Sequence, residues 1–102
     1  MGGVPPLTTA EAEKLRAGTP AWRLTHQGAN LQRRFDFPDF KTVLTFVNRI
    51  GAIAEEEGHH PDIAFGWGYC VVELYTHKIK GLHENDFIMA AKIDALMNEF
   101  GS

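Results

Sequence analysis

Cysteine is scarce. Cys70 stands alone in 102 residues, which excludes an internal disulfide and a cysteine-rich zinc site. It lies inside an apolar alternating run, Tyr69 to Thr76, and reads as a small buried hydrophobe rather than a nucleophile. No stretch approaches the roughly 20 apolar residues of a membrane-spanning helix, so no membrane role is expected. Lysine and arginine are dispersed and the formal net charge is −3, so the basic footprint of a nucleic-acid binder is missing. A phosphate-cradling glycine loop is missing too, because Gly66-x-Gly68 alone is a turn. There is no internal repeat, low-complexity tract or domain linker. What is present is an ordinary globular composition, 44% hydrophobic and 23% charged, in a chain long enough for one core. It reads as a soluble cytoplasmic protein.

Periodicity sets out the elements in order. Residues 1–7, with Pro5-Pro6, form a loose N-terminal arm ahead of a single domain over 8–102. Thr8 and Glu11 have capping-box spacing for a short helix, Thr9 to Ala17, stopped by Gly18 and Pro20. Ala21–Thr25 and the alternating run Leu31, Arg33, Phe35, Phe37 make a first hairpin about Gln27-Gly28-Ala29-Asn30. Pro38-Asp39 opens a long helix whose apolar stripe is Phe40, Val43, Leu44, Val47, Ile50 and Ala54, ended by Gly58. Ile63–Trp67 and Tyr69–Thr76 make a second hairpin. The face of Tyr69, Val71, Glu73 and Tyr75 is apolar enough to suggest a subunit or ligand contact. A last helix from about Glu84 to Phe100 buries Met89, Ile93, Leu96, Met97 and Phe100. The predicted fold is α+β and two-layered, a four-stranded antiparallel sheet with three helices on one face.

The chemistry gathers at Glu55 to Pro61, at Thr76-His77 and at Gly81 to Asp86. A hairpin centred on Gly66-Trp67-Gly68 pairs residues whose numbers sum to about 136. His59 and His60 then lie across from His77 and Thr76. Imidazole titrates near neutral pH, so two rings flanking a substrate can serve as acid and base. Three histidines also have the ligand count of a zinc site. Adjacent residues in extended chain point apart, however, and one metal would struggle to take both His59 and His60. Asp86 shares a helix face with Met89 and Ile93, so it turns inward. It either caps its own helix or orients an imidazole.

These residues resemble the pterin-4a-carbinolamine dehydratase family. The likeness is carried by His59-His60-Pro61, Trp67, His77, Gly81-Leu82 and Glu84-x-Asp86, with Glu55 upstream. Trp22 and Phe35-x-Phe37-x-Asp39-Phe40 extend it over nearly the whole chain. The resemblance implies dehydration of 4a-hydroxytetrahydrobiopterin to quinonoid dihydrobiopterin plus water, recycling tetrahydropterin for aromatic amino-acid hydroxylases. It implies catalytic roles for His59, His77 and His60, and substrate-binding or orienting roles for Asp86, Glu55, Trp22 and Pro61. It implies no metal or other cofactor, a small-molecule pterin as partner, and a homo-oligomer, tetramer or dimer. Some animal members of the family act as dimerisation cofactors for a transcription factor, which would add a nuclear location. That binding role is the alternative to the enzyme, and a histidine-ligated metal hydrolase is the third reading. Two positions depart from the family pattern: His83 replaces the usual Ser or Thr helix cap, and Ile63 replaces an aromatic.

Overall fold

The structure is a computed structural model that describes residues 5–101. The first two helices begin where side-chain oxygens satisfy free backbone N–H groups of the first turn. Thr8 and Glu11 form the expected capping box for α1 (Thr9–Arg16): Glu11 N–H donates to Thr8 Oγ1 at 3.1 Å and Thr8 N–H to Glu11 Oε1 at 2.9 Å. Asp39 opens α2 (Phe40–Glu57) by accepting from the Thr42 N–H at 2.8 Å and hydroxyl at 2.6 Å. These donors hold the Asp39 carboxyl below the usual carboxylate range. Gly58 closes α2 in the left-handed conformation, φ 65°, which a glycine adopts without steric cost.

Four strands follow the predicted order with shifted ends. β1 (Arg23–Thr25) is shorter than expected, because Trp22 turns into the core before the strand begins. It pairs with β2 (Asn30–Asp36), and β3 (Asp62–Gly66) pairs with β4 (Tyr69–Leu74). The two hairpins join through β2 and β4, so the antiparallel sheet runs β1-β2-β4-β3. In the second hairpin Gly66 faces Tyr69 and Asp62 faces Glu73, a sum of 135. The turn is therefore the two residues Trp67-Gly68, with Gly68 at φ 79°. The ladder stops at Asp62, so His59 to Pro61 run past it unpaired. β4 stops at Leu74 because Thr76 pairs instead with Gly81, its N–H reaching the Gly81 carbonyl at 2.9 Å. That bridge closes a small loop around the 3₁₀ turn His77–Ile79. α3 (Glu84–Gly101) completes the chain.

Register places Leu31, Phe35, Cys70, Val72 and Leu74 on one face of the sheet, and all five are buried beneath the helices. The α+β two-layer arrangement thus stands. The α2 stripe is rotated from the expected one: Val43, Phe46, Ile50 and Ala54 are buried, whereas Phe40 and Leu44 are 41% and 38% exposed. Phe46 decides this orientation, because its ring packs on Phe35, Phe37 and Phe100 with centroids 4.9 to 5.4 Å apart. Residues 1–4 of the expected loose arm lie outside the described residues. Leu7, at its end, packs against the core and donates its N–H to the Leu82 carbonyl at 2.9 Å. On the opposite sheet face, half-burial of the β4 side chains arises within the sheet. The Arg34 guanidinium lies 4.9 Å from the Tyr69 ring centroid, and Glu73 accepts from Asn30 and Gln32.

The rotated stripe yields a direct test. Phe46→Ala is expected to cost about 3–5 kcal/mol in urea unfolding, while Leu44→Ala stays within about 1 kcal/mol. Burial also pushes the Cys70 thiol up to about 11. Its contribution to stability is whole below the unfolded value of 9.0 and is lost as pH rises from there through 11. At about 1.4 kcal/mol per unit the loss is on the order of 2–3 kcal/mol. A melting-temperature series should show this alkaline fall, and Cys70→Ala should flatten it.

Candidate active site

The end of α2, the loop closed by the Thr76–Gly81 bridge and the start of α3 meet around one cavity of about 480 Å³. His59, His60, Thr76, His77, Lys78 and His83 line it, with Glu57, Asn85, Ile88 and Met89. The three predicted histidines are therefore brought together. The cause is not strand pairing but two backbone devices: the left-handed turn at Gly58 and the closed loop at Thr76–Gly81.

Asp86 organises the wall. It is the third residue of α3 and fully buried. Oδ1 meets His59 Nε2 at 2.5 Å; Oδ2 accepts from the Thr76 hydroxyl at 2.8 Å and the His83 backbone N–H at 2.9 Å. A buried carboxylate without partners would be costly, and here every lone-pair direction in use has a donor. The sequence left open whether Asp86 caps its helix or meets an imidazole; it does both. When a neutral His59 ring donates from Nε2 to this carboxylate, Nδ1 is left as an acceptor.

His60 turns the other way, its Nε2 2.6 Å from Glu55 Oε2 in an exposed pair. Adjacent histidines thus engage separate carboxylates, as extended backbone demands. Among the described residues no three His, Cys, Asp or Glu side chains converge in a metal-holding group. His77 is exposed in the 3₁₀ turn and lies against Tyr75, ring centroids 4.2 Å apart.

Other candidates fall outside the cavity lining. Glu55 reaches it only through His60, and Pro61 is half-buried just beyond it. Trp22 is a correction to its expected place at the substrate. Its indole is buried in the core, 1% exposed, with the ring N–H donating to Asp94 at 2.7 Å. Arg33, on the helix-facing side of β2, shares that carboxylate at 2.5 Å. His83 is also a better cap than its residue type suggested, because its Nδ1 accepts from the Asn85 N–H at 3.3 Å. Asp86 in turn accepts the His83 N–H, the return half of a capping box. Thr76 is the contact that sequence reasoning missed as a site residue. The signal was there, since an inward carboxylate at Asp86 requires a neutral donor nearby.

Residues 5–96 match the family described as Pterin 4 alpha carbinolamine dehydratase. The chain belongs to that family. A Methylococcus capsulatus protein, provisionally named pterin-4-alpha-carbinolamine dehydratase, is 57% identical over 99 residues, 97% of this chain and 87% of its own. One from Aromatoleum aromaticum with the same provisional name is 57% identical over 95 residues, 93% of this chain and 85% of its own. Among solved structures, a transcriptional coactivator/pterin dehydratase from Brucella melitensis is similar with a TM-score of 0.83 at 30% identity, covering 88% of this chain and 96% of that one. A pterin dehydratase-like protein identified as a RuBisCO assembly factor in the alpha-carboxysome reaches a TM-score of 0.65 at 31% identity, over 74% and 88%. The family resemblance drawn from the histidine spacing is thereby shown.

The Thr76–Asp86 contact can be tested in isolation. Thr76→Val leaves Asp86 Oδ2 with one donor in a buried position and is expected to cost about 1–3 kcal/mol. Thr76→Ser, which keeps the hydroxyl, should recover most of that loss in the same unfolding assay.

Proposed function

We propose that this protein dehydrates a 4a-hydroxytetrahydropterin to the quinonoid dihydropterin and water by histidine acid–base chemistry in the cavity. The observation that carries the reading is the buried chain from Thr76 through Asp86 to His59, set in a cavity wall shared with His60 and His77. Membership of the dehydratase family supports it, and a space of about 480 Å³ accommodates a bicyclic pterin.

The reaction needs two proton transfers. The hydroxyl on C4a leaves as water and takes a proton from an acid. A ring N–H gives its proton to a base, and the electrons of that bond expel the leaving group. One proton is given and one received, so the protein ends in its starting protonation state once the two sites exchange. We assign the pair to His59 and His77. Asp86 fixes the His59 ring, directing Nδ1 away from the carboxylate. His77 has no carboxylate partner among the described residues. His60, held by Glu55, positions the pterin. Each proton transfer is worth typically ~10²–10⁴-fold.

A protein-binding role is the second reading, favoured by an apolar surface away from the cavity. Phe40 and Phe65 touch with centroids 6.2 Å apart, and Leu44 and Trp67 are exposed with them, Trp67 at 72%. None of the four lines the cavity. The coactivator and assembly-factor names of the two structural neighbours are consistent with such a surface.

Kinetics on four variants test the enzymatic assignment. His59→Ala and His77→Ala should lower kcat by roughly 10²-fold or more with little change in KM. His60→Ala should mainly raise KM. The double substitution His59→Ala with His77→Ala should cost far less than the sum of the singles, because both act on one transition state. A His60→Ala enzyme with normal KM and collapsed kcat would reverse the division of labour.

A further inference from the structure

Among the described residues, the charged side chains at the cavity have polar partners in all but one case. Glu57 is the one carboxylate in the lining, and it is taken by Lys92, whose ammonium lies 2.6 Å away at the edge of α3. That hydrogen bond and charge hold Lys92 above the usual lysine range. Asp86 is spent on His59, Thr76 and the His83 N–H, and Glu55 on His60. Glu84, the first residue of α3, lines a separate apolar groove between α1 and α3. Lys78 remains. It lines the cavity, is exposed, and has no carboxylate within ion-pair distance among the described residues. Lys78 is thus the one ammonium in the lining left without a carboxylate partner among the described residues. Around it stand Asn85, with an amide that can donate, and four imidazoles that contribute only donors when protonated. An ammonium without a carboxylate partner, beside further donors, can take an anionic group of a ligand in a charge-assisted hydrogen bond.

We propose that Lys78 makes this site select reduced pterins carrying an anionic group, carboxylate or phosphate, on the C6 substituent. The inference rests on the pterin reading of the cavity and narrows its substrate class. The pterin ring occupies the histidine-lined part, and the side chain runs toward the 3₁₀ turn, where the Lys78 ammonium meets its anion. A charge-assisted contact of this kind at a partly open site supplies roughly fivefold to tenfold in affinity. The neutral dihydroxypropyl chain of biopterin would leave that ammonium without a partner.

Binding of stable oxidised pterins, followed by their fluorescence, separates this inference from the catalytic one. The probes are 6-hydroxymethylpterin, its phosphate ester and 6-carboxypterin, which share the ring and differ in charge. At low ionic strength the two anionic probes should bind about fivefold to tenfold more tightly than the neutral one, and the ratio should shrink toward one at high salt. Lys78→Met should bring the probes together, and Lys78→Glu should invert their order. Tightening of only one anionic probe would assign the preference to carboxylate or to phosphate. Equal binding of all three at low salt would overturn the proposal, as would a ratio that survives Lys78→Met. If none of the three binds, the pterin reading itself falls and takes this inference with it.

Discussion

The buried carboxylate of Asp86 is the interaction on which the site depends. It sits in the first turn of a helix, where the aligned peptide dipoles favour negative charge, and it is sealed from water. Its three partners come from three segments: His59 after α2, Thr76 after β4, and the His83 backbone at the head of α3. His59 is distant in sequence from the other two, and Thr76 and His83 stand on either side of the closed loop. The charge therefore acts as a tie among them, and its need for donors specifies where each must lie.

The sheet and core supply the frame for that tie. β4 lies between β2 and β3, so its end is held from both sides before the chain enters the Thr76–Gly81 loop. α2 is anchored by the Phe46 ring among Phe35, Phe37 and Phe100, and α3 by Met89, Ile93 and Leu96. The residues that deliver His59, Thr76 and Asp86 thus sit at the ends of well-packed elements. An exposed His77 in the short 3₁₀ turn is the least constrained member of the group.

Much of this was legible in the sequence because it is written in local chemistry. Thr8 with Glu11, Asp39 and Gly58 announce helix ends through side chains and φ preferences that act within a few residues. The strand order could not be read the same way, since the β2–β4 pairing joins residues far apart in the chain. Histidine convergence was anticipated for an incomplete reason. The hairpin register is one residue off the expected sum, and the ladder ends before the histidines. Burial of Phe46 over Leu44 escaped periodicity because both fit a helical stripe of the same spacing. Only aromatic packing across the core distinguishes them. Trp22 carried a family signal, but residue type alone does not distinguish a core indole from one at a substrate; its burial and its bond to Asp94 do.

The left-handed cap at Gly58 has one more implication. His59 follows it directly, and its own N–H still bonds back to the Ala54 carbonyl at 3.1 Å. The imidazole is in effect mounted on the axle of α2, with the core contact at Ala54 as the last fixed bearing. One residue added or removed between Ala54 and Gly58 would turn the ring by about 100° and shift it by about 1.5 Å. The length of that last turn is therefore locked by the histidine it aims.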